Sequence, residues 1–355
     1  MKQLAFWGIL IFLVAIRFYD TKPSFSDGQI LKVSGVVVQE PVKYLRYQKV
    51  ILSGLKIFLP IYPEISYGDK ITVSGKVQNG EIGAGKLLSL KEKSFPLSSL
   101  RVKIISFFQE TLPEPHAALV AGITIGSKAS LPYVFWQEIK KTGTAHVVVA
   151  SGMNVTLVAG IILVTLLLFL PRRKAIAAAS LGVWAYVILS GVEAPIVRAA
   201  IMASMIFLAQ ATGRVVSTLR VLFLTVCLML VVFPLWLTDI GFLLSFMATF
   251  SLILFQKKVE SILTFLPKFF KENLATSLAA QIGVAPIMWV SFGNFSLLAP
   301  LVNALVLWTV GPIMILGALG GALGMIIPTL GRLVLYLSYP LTSWYIAITH
   351  LFASI

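Results

Sequence analysis

Long uncharged apolar runs dominate the chain from residue 147 onward. Residues 274–331 contain no Asp, Glu, Lys or Arg. A helix rises ~1.5 Å per residue and needs about 20 residues to cross a bilayer, so this run allows two or three crossings. Its prolines also allow a broken or re-entrant helix. Further uncharged runs occupy residues 147–170, 175–192, 221–238 and 240–256. The pattern predicts a polytopic α-helical membrane protein, with a multi-helix transmembrane domain at 143–355.

The first twenty residues predict a signal anchor. An apolar stretch, 4–16, follows Met1-Lys2-Gln3, and the next residues, Arg17-Phe18-Tyr19-Asp20, offer no small-x-small cleavage site. We therefore expect residues 1–20 to remain as a transmembrane helix that leaves the following region outside the cytoplasm.

Residues 24–96 have the polar–apolar alternation of β-strands. The predicted strands are 30–38, 44–52, 56–59, 70–77 and 86–91. Short strands, some with internal glycines, favour a small closed β-barrel of the oligonucleotide-binding (OB) type. A fragment of a β-sandwich is the alternative.

Residues 97–142 predict interfacial amphipathic helices. Arg101 and Lys103 fall outside the apolar face of the first helix, which we expect to lie on the membrane surface. A second helix is predicted at 131–141, after a short apolar piece at 117–126. The apolar face of the first helix comprises Leu100, Ile104, Phe107 and Phe108.

The basic residues predict which loops share a side of the membrane. Lys and Arg occur in the loops at 172–174, 214–220 and 257–271 and at Arg332, each two crossings from the last. The gaps around Glu193 and Asp239 carry neither residue. By the positive-inside rule the basic loops are cytoplasmic, which again places the β-rich region outside. The side of the C-terminus depends on the number of crossings in 274–331.

Composition agrees with a membrane protein and excludes several chemistries. Hydrophobic residues make up 58% and charged residues 12% of the chain, and the net charge is +15. Soluble domains carry about 25% charged residues. The single cysteine, Cys227, excludes an intramolecular disulfide. His116, His146 and His350 lack metal-ligand spacing, and no Gly-rich phosphate loop occurs, so we expect no metal, no cofactor and no catalytic site.

Arg198 lies in an apolar segment, where a charge at the helix centre costs about 2.5–3.5 kcal/mol. It follows Pro195 by three residues, so it can snorkel to the outer interface and pair with Glu193. The alternative is a functional arginine that faces a cavity.

Other polar residues occur where the apolar segments begin or within them. Ser151 and Asn154 would be neighbours on a continuous helix, with His146 on another face. A kink at Gly152 or a bundle interior would gather them; ordinary interhelical hydrogen bonds are the alternative. The candidate channel-lining or helix-packing residues are His146, Ser151, Asn154, Arg198, Asp239, Ser245, Asn294 and Asn303.

Four stretches, at 121–154, 197–202, 239–246 and 292–303, carry a family resemblance. They resemble, in order and spacing, the ComEC-type competence proteins, which carry transforming DNA across the bacterial inner membrane and have an OB-like domain before their helices. The family usually has His where Asn154 stands. Its members often end in a metallo-β-lactamase-like domain, whereas here the chain stops at Ile355 without a His/Asp cluster. We therefore expect a separate nuclease or none.

The resemblance implies a multi-pass protein of the bacterial inner membrane that forms an uptake channel for single-stranded DNA. The implied partners are single-stranded DNA, the lipid bilayer, a separate nuclease, a cytoplasmic helicase and competence pilus components; homo-oligomerisation stays open. In the β-rich region, rings and cations interleave in a pattern that suits base stacking and phosphate contact. The candidate DNA-binding residues are Tyr44, Arg46, Tyr47 and Lys49. A solvated basic hairpin is the alternative for these four.

Two other functions are compatible with the sequence. An intramembrane serine protease would use Ser151 with His146 or His350 as its base. A scaffold would use the β-rich region to bind another envelope protein. Salt-dependent binding of single-stranded DNA distinguishes the scaffold from the channel.

Overall fold

The computed structural model describes residues 2–21, 28–44, 46–52, 54–78, 80–92, 96–128, 131–149, 151–264, 266–293, 296 and 298–354. Helix α1, Lys2–Thr21, occupies the predicted anchor segment and packs against helix α9, Thr218–Val232. The Nε of Arg17 donates to the Val231 carbonyl at 3.2 Å. That α1 acts as an uncleaved anchor stays a prediction.

The β-rich region forms a sheet, and its strands follow the predicted pattern. The predicted strand at 44–52 begins later, because the amide of Tyr44 donates to the Tyr47 carbonyl at 2.8 Å and closes a turn. The strands are β1 Ile30–Val36, β2 Val42–Lys43, β3 Tyr47–Leu52, β4 Leu55–Pro60, β5 Lys70–Gln78, β6 Glu81–Ile82 and β7 Lys86–Lys91.

The strand order is β1-β5-β6-β4-β3-β2, and β7 also pairs with β5. We call the described residues between 28 and 92 the sheet module. Alternate residues of β3 are buried, and they form an apolar core of the module together with Ile57, Ile71 and Val73. Gly85 permits close packing there, since a Cβ would lie 2.9 Å from the Leu59 side chain. The ladders of the described residues do not join the two ends of this order. The closed OB barrel therefore stays a prediction.

The predicted interfacial region contains helices α2 (Pro96–Thr111), α3 (His116–Ile125) and α4 (Tyr133–Lys141). Helix α2 packs into the bundle: a Cβ at Gly324 would lie 2.4 Å from the ring of Phe107. Arg101 is only 2% exposed, whereas Leu100 is 36% exposed. Of the predicted apolar face, Phe107 and Phe108 are buried, and Arg101 is buried as well because its partners lie on other elements. That this region lies on the membrane surface stays a prediction.

The rest of the chain is a bundle of helices. Within the part of the chain that the structure describes, five helical segments are long and apolar enough to cross a membrane, the first of them interrupted between α5 and α6: Ala145–Leu167, Ala194–Ala211, Ile240–Ile262, Phe270–Ser291 and Ala299–Gly324. The chain is thus a mostly helical, polytopic membrane protein. The bundle comprises α5 Ala145–Val148, α6 Gly152–Leu167, α7 Arg172–Ser190, α8 Ala194–Ala211, α9, a 3₁₀ turn Pro234–Thr238, α10 Ile240–Ile262, α11 Lys268–Phe292, α12 Ala299–Gly324, α13 Pro328–Tyr336 and α14 Tyr339–Ala353.

In the described part of the uncharged run 274–331, two long helices are present, α11, which begins before the run, and α12. Helices α11 and α12 continue through Pro286 and Pro312, so neither is broken at its internal proline. Helix α13 has nine residues, and at ~1.5 Å per residue it is too short to cross a bilayer. It packs back on α12, where a Cβ at Gly331 would lie 2.4 Å from the Gly324 backbone.

Candidate functional site

The C-terminal end of α3 is a meeting point of several helices. Gly126, at φ 68°, ends the helix, and its amide donates to the Gly122 carbonyl at 2.9 Å. This is the single 5→1 bond of an αL cap, and the amide of Ser127 donates to the Ala121 carbonyl at 3.3 Å. The last carbonyls of the helix remain without a helical donor. Because residues 117–125 are all buried, these carbonyls need partners from the protein.

Three side chains from three other helices supply those partners. Asn154 of α6 donates to the Ile123 carbonyl at 2.9 Å. Tyr186 of α7 donates to the carbonyl of Thr124 at 3.1 Å. The guanidinium of Arg101, on α2, donates to the carbonyl of residue 125 at 2.6 Å. Consecutive carbonyls of one helix end therefore tie α6, α7 and α2 together.

Asn154 is fully buried, and the Ser151 hydroxyl donates to its Oδ1 at 3.2 Å. The two residues are thus in contact, although the prediction assumed a continuous helix through both of them. The helix is interrupted before Gly152, since Val149 and Ser151 have extended backbones. His146 is not brought to this pair: it is exposed, and its Nδ1 contacts the Gly143 carbonyl at 3.1 Å.

Arg198 lies beside the same segment. It is 8% exposed, and its Nη1 donates to the Ser245 carbonyl of α10. A Cβ at Gly152 would lie 2.9 Å from its Nη2, so the glycine permits this approach. The Nε has no hydrogen-bond partner among the described residues. We call Ser151, Gly152, Asn154, Arg198 and Ser245 the intramembrane polar cluster.

The predicted pair of Glu193 with Arg198 is wrong. Glu193 instead accepts from the Nζ of Lys128 at 2.8 Å. Lys128 follows α3, so this ion pair links the end of α3 to the start of α8. Arg198 takes part in none of the ion pairs among the described residues, so the polar contact of its buried charge there is with the Ser245 carbonyl.

The remaining candidates lie apart from the cluster. Asp239 is exposed and caps α10 by accepting the Phe242 amide at 2.8 Å, which is a structural role. Asn303 of α12 is 4% exposed and donates to the Ser277 hydroxyl of α11 at 3.0 Å. Asn294 lies outside the described residues. Whether any of these residues lines a channel stays a prediction.

Among the described residues, Ser151 contacts neither His146 nor His350, the two bases considered for a protease. A serine–histidine contact does occur elsewhere, between the Nε2 of His116 and the Ser343 hydroxyl at 3.1 Å. The Ser151 hydroxyl donates to Asn154, and His146 contacts Gly143. His350 is bonded to Glu138 at 2.9 Å. Within the described ranges, no group of three or more His, Cys, Asp or Glu is placed to hold a metal.

The candidate DNA-binding hairpin is exposed. The rings of Tyr44 and Tyr47 stack with centroids 4.5 Å apart, and Tyr47 also meets Phe58 edge-on at 5.6 Å. Each tyrosine remains about two-fifths exposed, at 42% and 41%. Arg46 is exposed and Lys49 half-buried. The hairpin presents an aromatic pair beside cations, but DNA contact stays a prediction.

A polar junction between the sheet module and the bundle is what the sequence reasoning missed. Glu40, which follows β1, lies 3.5 Å from the Nη2 of Arg101 and accepts the Ser127 hydroxyl at 2.9 Å. Arg101 also lies over the ring of Tyr67, 5.1 Å from its centroid. Burial raises the pKa of the Tyr67 phenol, and the Arg101 charge opposes the rise. The phenol therefore stays protonated and donates to the Ile188 carbonyl.

Two curated proteins are similar to part of this chain. ComE operon protein 3 of Bacillus subtilis (strain 168) is 30% identical over 212 residues, which are 59% of this chain and 27% of that protein. An uncharacterized protein of Aquifex aeolicus (strain VF5) is 30% identical over 231 residues, which are 64% of this chain and 52% of that protein. The matches thus span at most about half the length of these relatives. No solved structure matches the chain significantly.

A family model described as Competence protein matches residues 123–355. The matched range contains the whole intramembrane polar cluster and helices α11 to α14, which follow it. Since the match covers well over half of the sequence, this chain belongs to the competence protein family.

Proposed function

We propose that the chain is a channel subunit through which single-stranded DNA crosses the bacterial inner membrane during natural competence. The name of the Bacillus subtilis relative and the family match support a role in competence. The main support for a channel is the burial of Arg198, a charged residue inside the bundle that is only 8% exposed. A buried charge is costly in a membrane protein and typically marks a pathway or a site.

The surroundings of Arg198 suit passage of a polyanion. Its Nε is unpaired among the described residues, and the Ser151–Asn154 segment lies against it. An anionic phosphate moving through a low-dielectric bundle needs such cations and polar groups to replace its hydration. The arrangement offers one cation for transient contact, so a phosphate can also leave it.

The sheet module then lies on the extracytoplasmic side and would receive the strand. It contacts the loop after α7, where the Val192 amide donates to the Val38 carbonyl at 3.1 Å. It also meets the 3₁₀ turn, since a Cβ at Gly54 would lie 2.6 Å from Leu235. Both loops lack Lys and Arg, which supports their placement outside. Stacking of bases on Tyr44 and Tyr47, in a closed OB barrel, would give salt-dependent, sequence-tolerant binding.

The experiment replaces Arg198 in a naturally competent host that carries this chain. We expect Arg198→Met to lower entry of labelled DNA at least about tenfold, equivalent to ~1.4 kcal/mol. Arg198→Lys should be intermediate, because a lysine keeps the charge without the planar fork. The matched control is Arg214→Met, since Arg214 follows the same helix and is exposed. Normal entry with Arg198→Met at normal protein abundance would refute the channel.

A separate experiment tests the orientation. Single cysteines at Tyr44 and Lys258, in a Cys227→Ser background, should react with impermeant maleimide from opposite sides of the membrane. Reaction of both from one side would contradict an extracytoplasmic module.

A separate nuclease, a cytoplasmic helicase and pilus components are the proposed partners, to be sought by crosslinking in competent cells.

A further inference from the structure

The sheet module and the intramembrane polar cluster are attached to the same helix end. Asn154 of the cluster donates a hydrogen bond to the Ile123 carbonyl. Two residues later, the carbonyl of Ile125 is held by Arg101, which also pairs with Glu40 of the module. We call the C-terminal carbonyls of α3 and their side-chain donors the α3 joint.

Arg101 has an unusual set of partners for a residue of an amphipathic helix. It is 2% exposed, and its Nη1 donates to the carbonyls of Ile125 at 2.6 Å and Leu189 at 2.7 Å. These carbonyls lie at the C-terminal ends of α3 and α7. Helix C-termini carry partial negative charge, so one guanidinium neutralises two of them. Its planar, multi-donor shape suits this bridging role, which a lysine cannot reproduce.

Glu40 completes the bridge from the module side. Its Oε2 lies 3.5 Å from Arg101, and it accepts the Lys128 backbone amide at 2.5 Å and the Ser127 hydroxyl at 2.9 Å. The carboxylate therefore contacts both α2 and the residues that follow α3. Lys128 in turn pairs with Glu193, the residue before α8. The chain of contacts thus runs from the module to the helix that carries Arg198.

We propose that Arg101 is a positioning residue that fixes the sheet module onto the bundle and holds the end of α3 in place for Asn154. This inference rests on the proposed function, because it makes the α3 joint the connection along which a strand bound by the module is aligned with Arg198. Loss of the Arg101 side chain frees the carbonyls of α3 and α7 and leaves Glu40 without its cation.

Helix α2 itself should stay folded without Arg101. Phe107, Phe108 and Leu112 are buried at 7%, 0% and 2% exposure, and Phe108 packs on Gly321 of α12. These contacts do not involve the guanidinium. An Arg101→Met variant should therefore keep the bundle and lose the fixed position of the module.

The test measures the distance between module and bundle in the full chain, in nanodiscs. Spin labels replace Lys32 of β1 and Tyr133 of α4, both exposed, in a Cys227→Ser background. We expect a narrow distance distribution in the parent and a distribution at least twice as wide in Arg101→Met. The matched control is Lys103→Met, an exposed cation on the same helix, which should stay narrow.

DNA entry in a competent host is the second measurement. Arg101→Met should lower entry by about tenfold, the loss expected when charged hydrogen bonds are removed. Arg101→Lys should restore part of it, because the charge remains beside the helix ends. Glu40→Gln removes the module's carboxylate alone and should widen the distribution in the same way, which keeps the test valid if Arg101→Met is unstable.

The outcomes separate the two proposals. An unchanged distance distribution in Arg101→Met and Glu40→Gln overturns the positioning role. A wider distribution with undiminished DNA entry overturns the claim that this position serves uptake. A deletion strain that takes up DNA as well as the parent rejects the proposed channel, and the distance measurement then still decides whether Arg101 fixes the module.

Discussion

Replacing Asn154 with leucine should destabilise the protein because it removes the donor that caps the end of α3. Asn154 is fully buried, donates to the Ile123 carbonyl at 2.9 Å and accepts from the Ser151 hydroxyl at 3.2 Å. Leucine has a similar size, so the change removes hydrogen bonds without opening a large cavity. It leaves a carbonyl and a hydroxyl to find new partners.

Two ranges of hydrogen-bond free energy determine how far the free energy of unfolding should fall in Asn154→Leu. A buried polar group left without a partner costs ~1–3 kcal/mol. Interhelical hydrogen bonds in membrane proteins average ~0.6 kcal/mol, with a maximum near ~1.7, because alternative partners are found. The α3 joint is surrounded by buried side chains that leave few alternatives. We therefore expect the free energy of unfolding to fall by about 1–2 kcal/mol.

The assay is reversible unfolding of the full chain in mixed micelles, followed by circular dichroism. Thr156→Val is the matched control, since Thr156 is exposed on the same helix and bonds only to the Gly152 carbonyl, at 3.0 Å. It should change the unfolding free energy by less than about 0.5 kcal/mol. Asn154→His should be milder than Asn154→Leu, because an imidazole N–H can donate to the same carbonyl. Parent-like stability of Asn154→Leu would refute the capping argument.

This geometry also bears on the histidine that the family resemblance leads us to expect at position 154. The structure requires a hydrogen-bond donor at residue 154, directed at the Ile123 carbonyl. Asparagine and neutral histidine both meet that requirement without a charge. An ionisable group is therefore unnecessary for the contact that the structure shows.

Two further predictions concern the polar cluster and the hairpin. Gly152→Ala should lower entry of labelled DNA, because its Cβ would lie 2.9 Å from the Nη2 of Arg198 and would displace the guanidinium from its present position. Gly160→Ala on the same helix has nothing within 4 Å of its Cβ and should be neutral or stabilising by up to about 1 kcal/mol; equal losses in both variants would contradict the contact. Tyr47→Ala should weaken single-stranded DNA binding by ~1–3 kcal/mol, measured by fluorescence anisotropy. The control is Tyr62→Ala, a tyrosine of the same module that is 74% exposed; if both variants bind equally, the hairpin is not the site.

Elements that depend on local pattern could be predicted from the sequence. The strand predicted at 86–91 is observed as β7, and the one at 70–77 is longer by one residue. The uncharged run 240–256 lies within α10. These predictions hold because alternation and run length determine which backbone conformation can bury the apolar side chains. The contact between Ser151 and Asn154 is also local, because it joins the residue before α6 to the first turn of that helix.

The sequence left open, or assigned wrongly, what depends on partners distant in the chain. Arg101 is buried because it donates to carbonyls of two other helices. These acceptors lie 24 and 88 residues away along the chain, so the apolar pattern of α2 does not reveal them. Glu193 pairs with Lys128 rather than with Arg198 for the same reason. His146 and Ser151 belong to one apolar segment, but the extended backbone before Gly152 separates their contacts.

The sequence by itself therefore determined that this is a polytopic membrane protein with a β-rich region before its helices. Tertiary structure alone decided that 274–331 contains two long helices and that the end of α3 joins the module to the cluster around Arg198. The physical reason is that hydrophobic run length is a local property. The satisfaction of a buried carbonyl or charge depends on which helices the fold brings together.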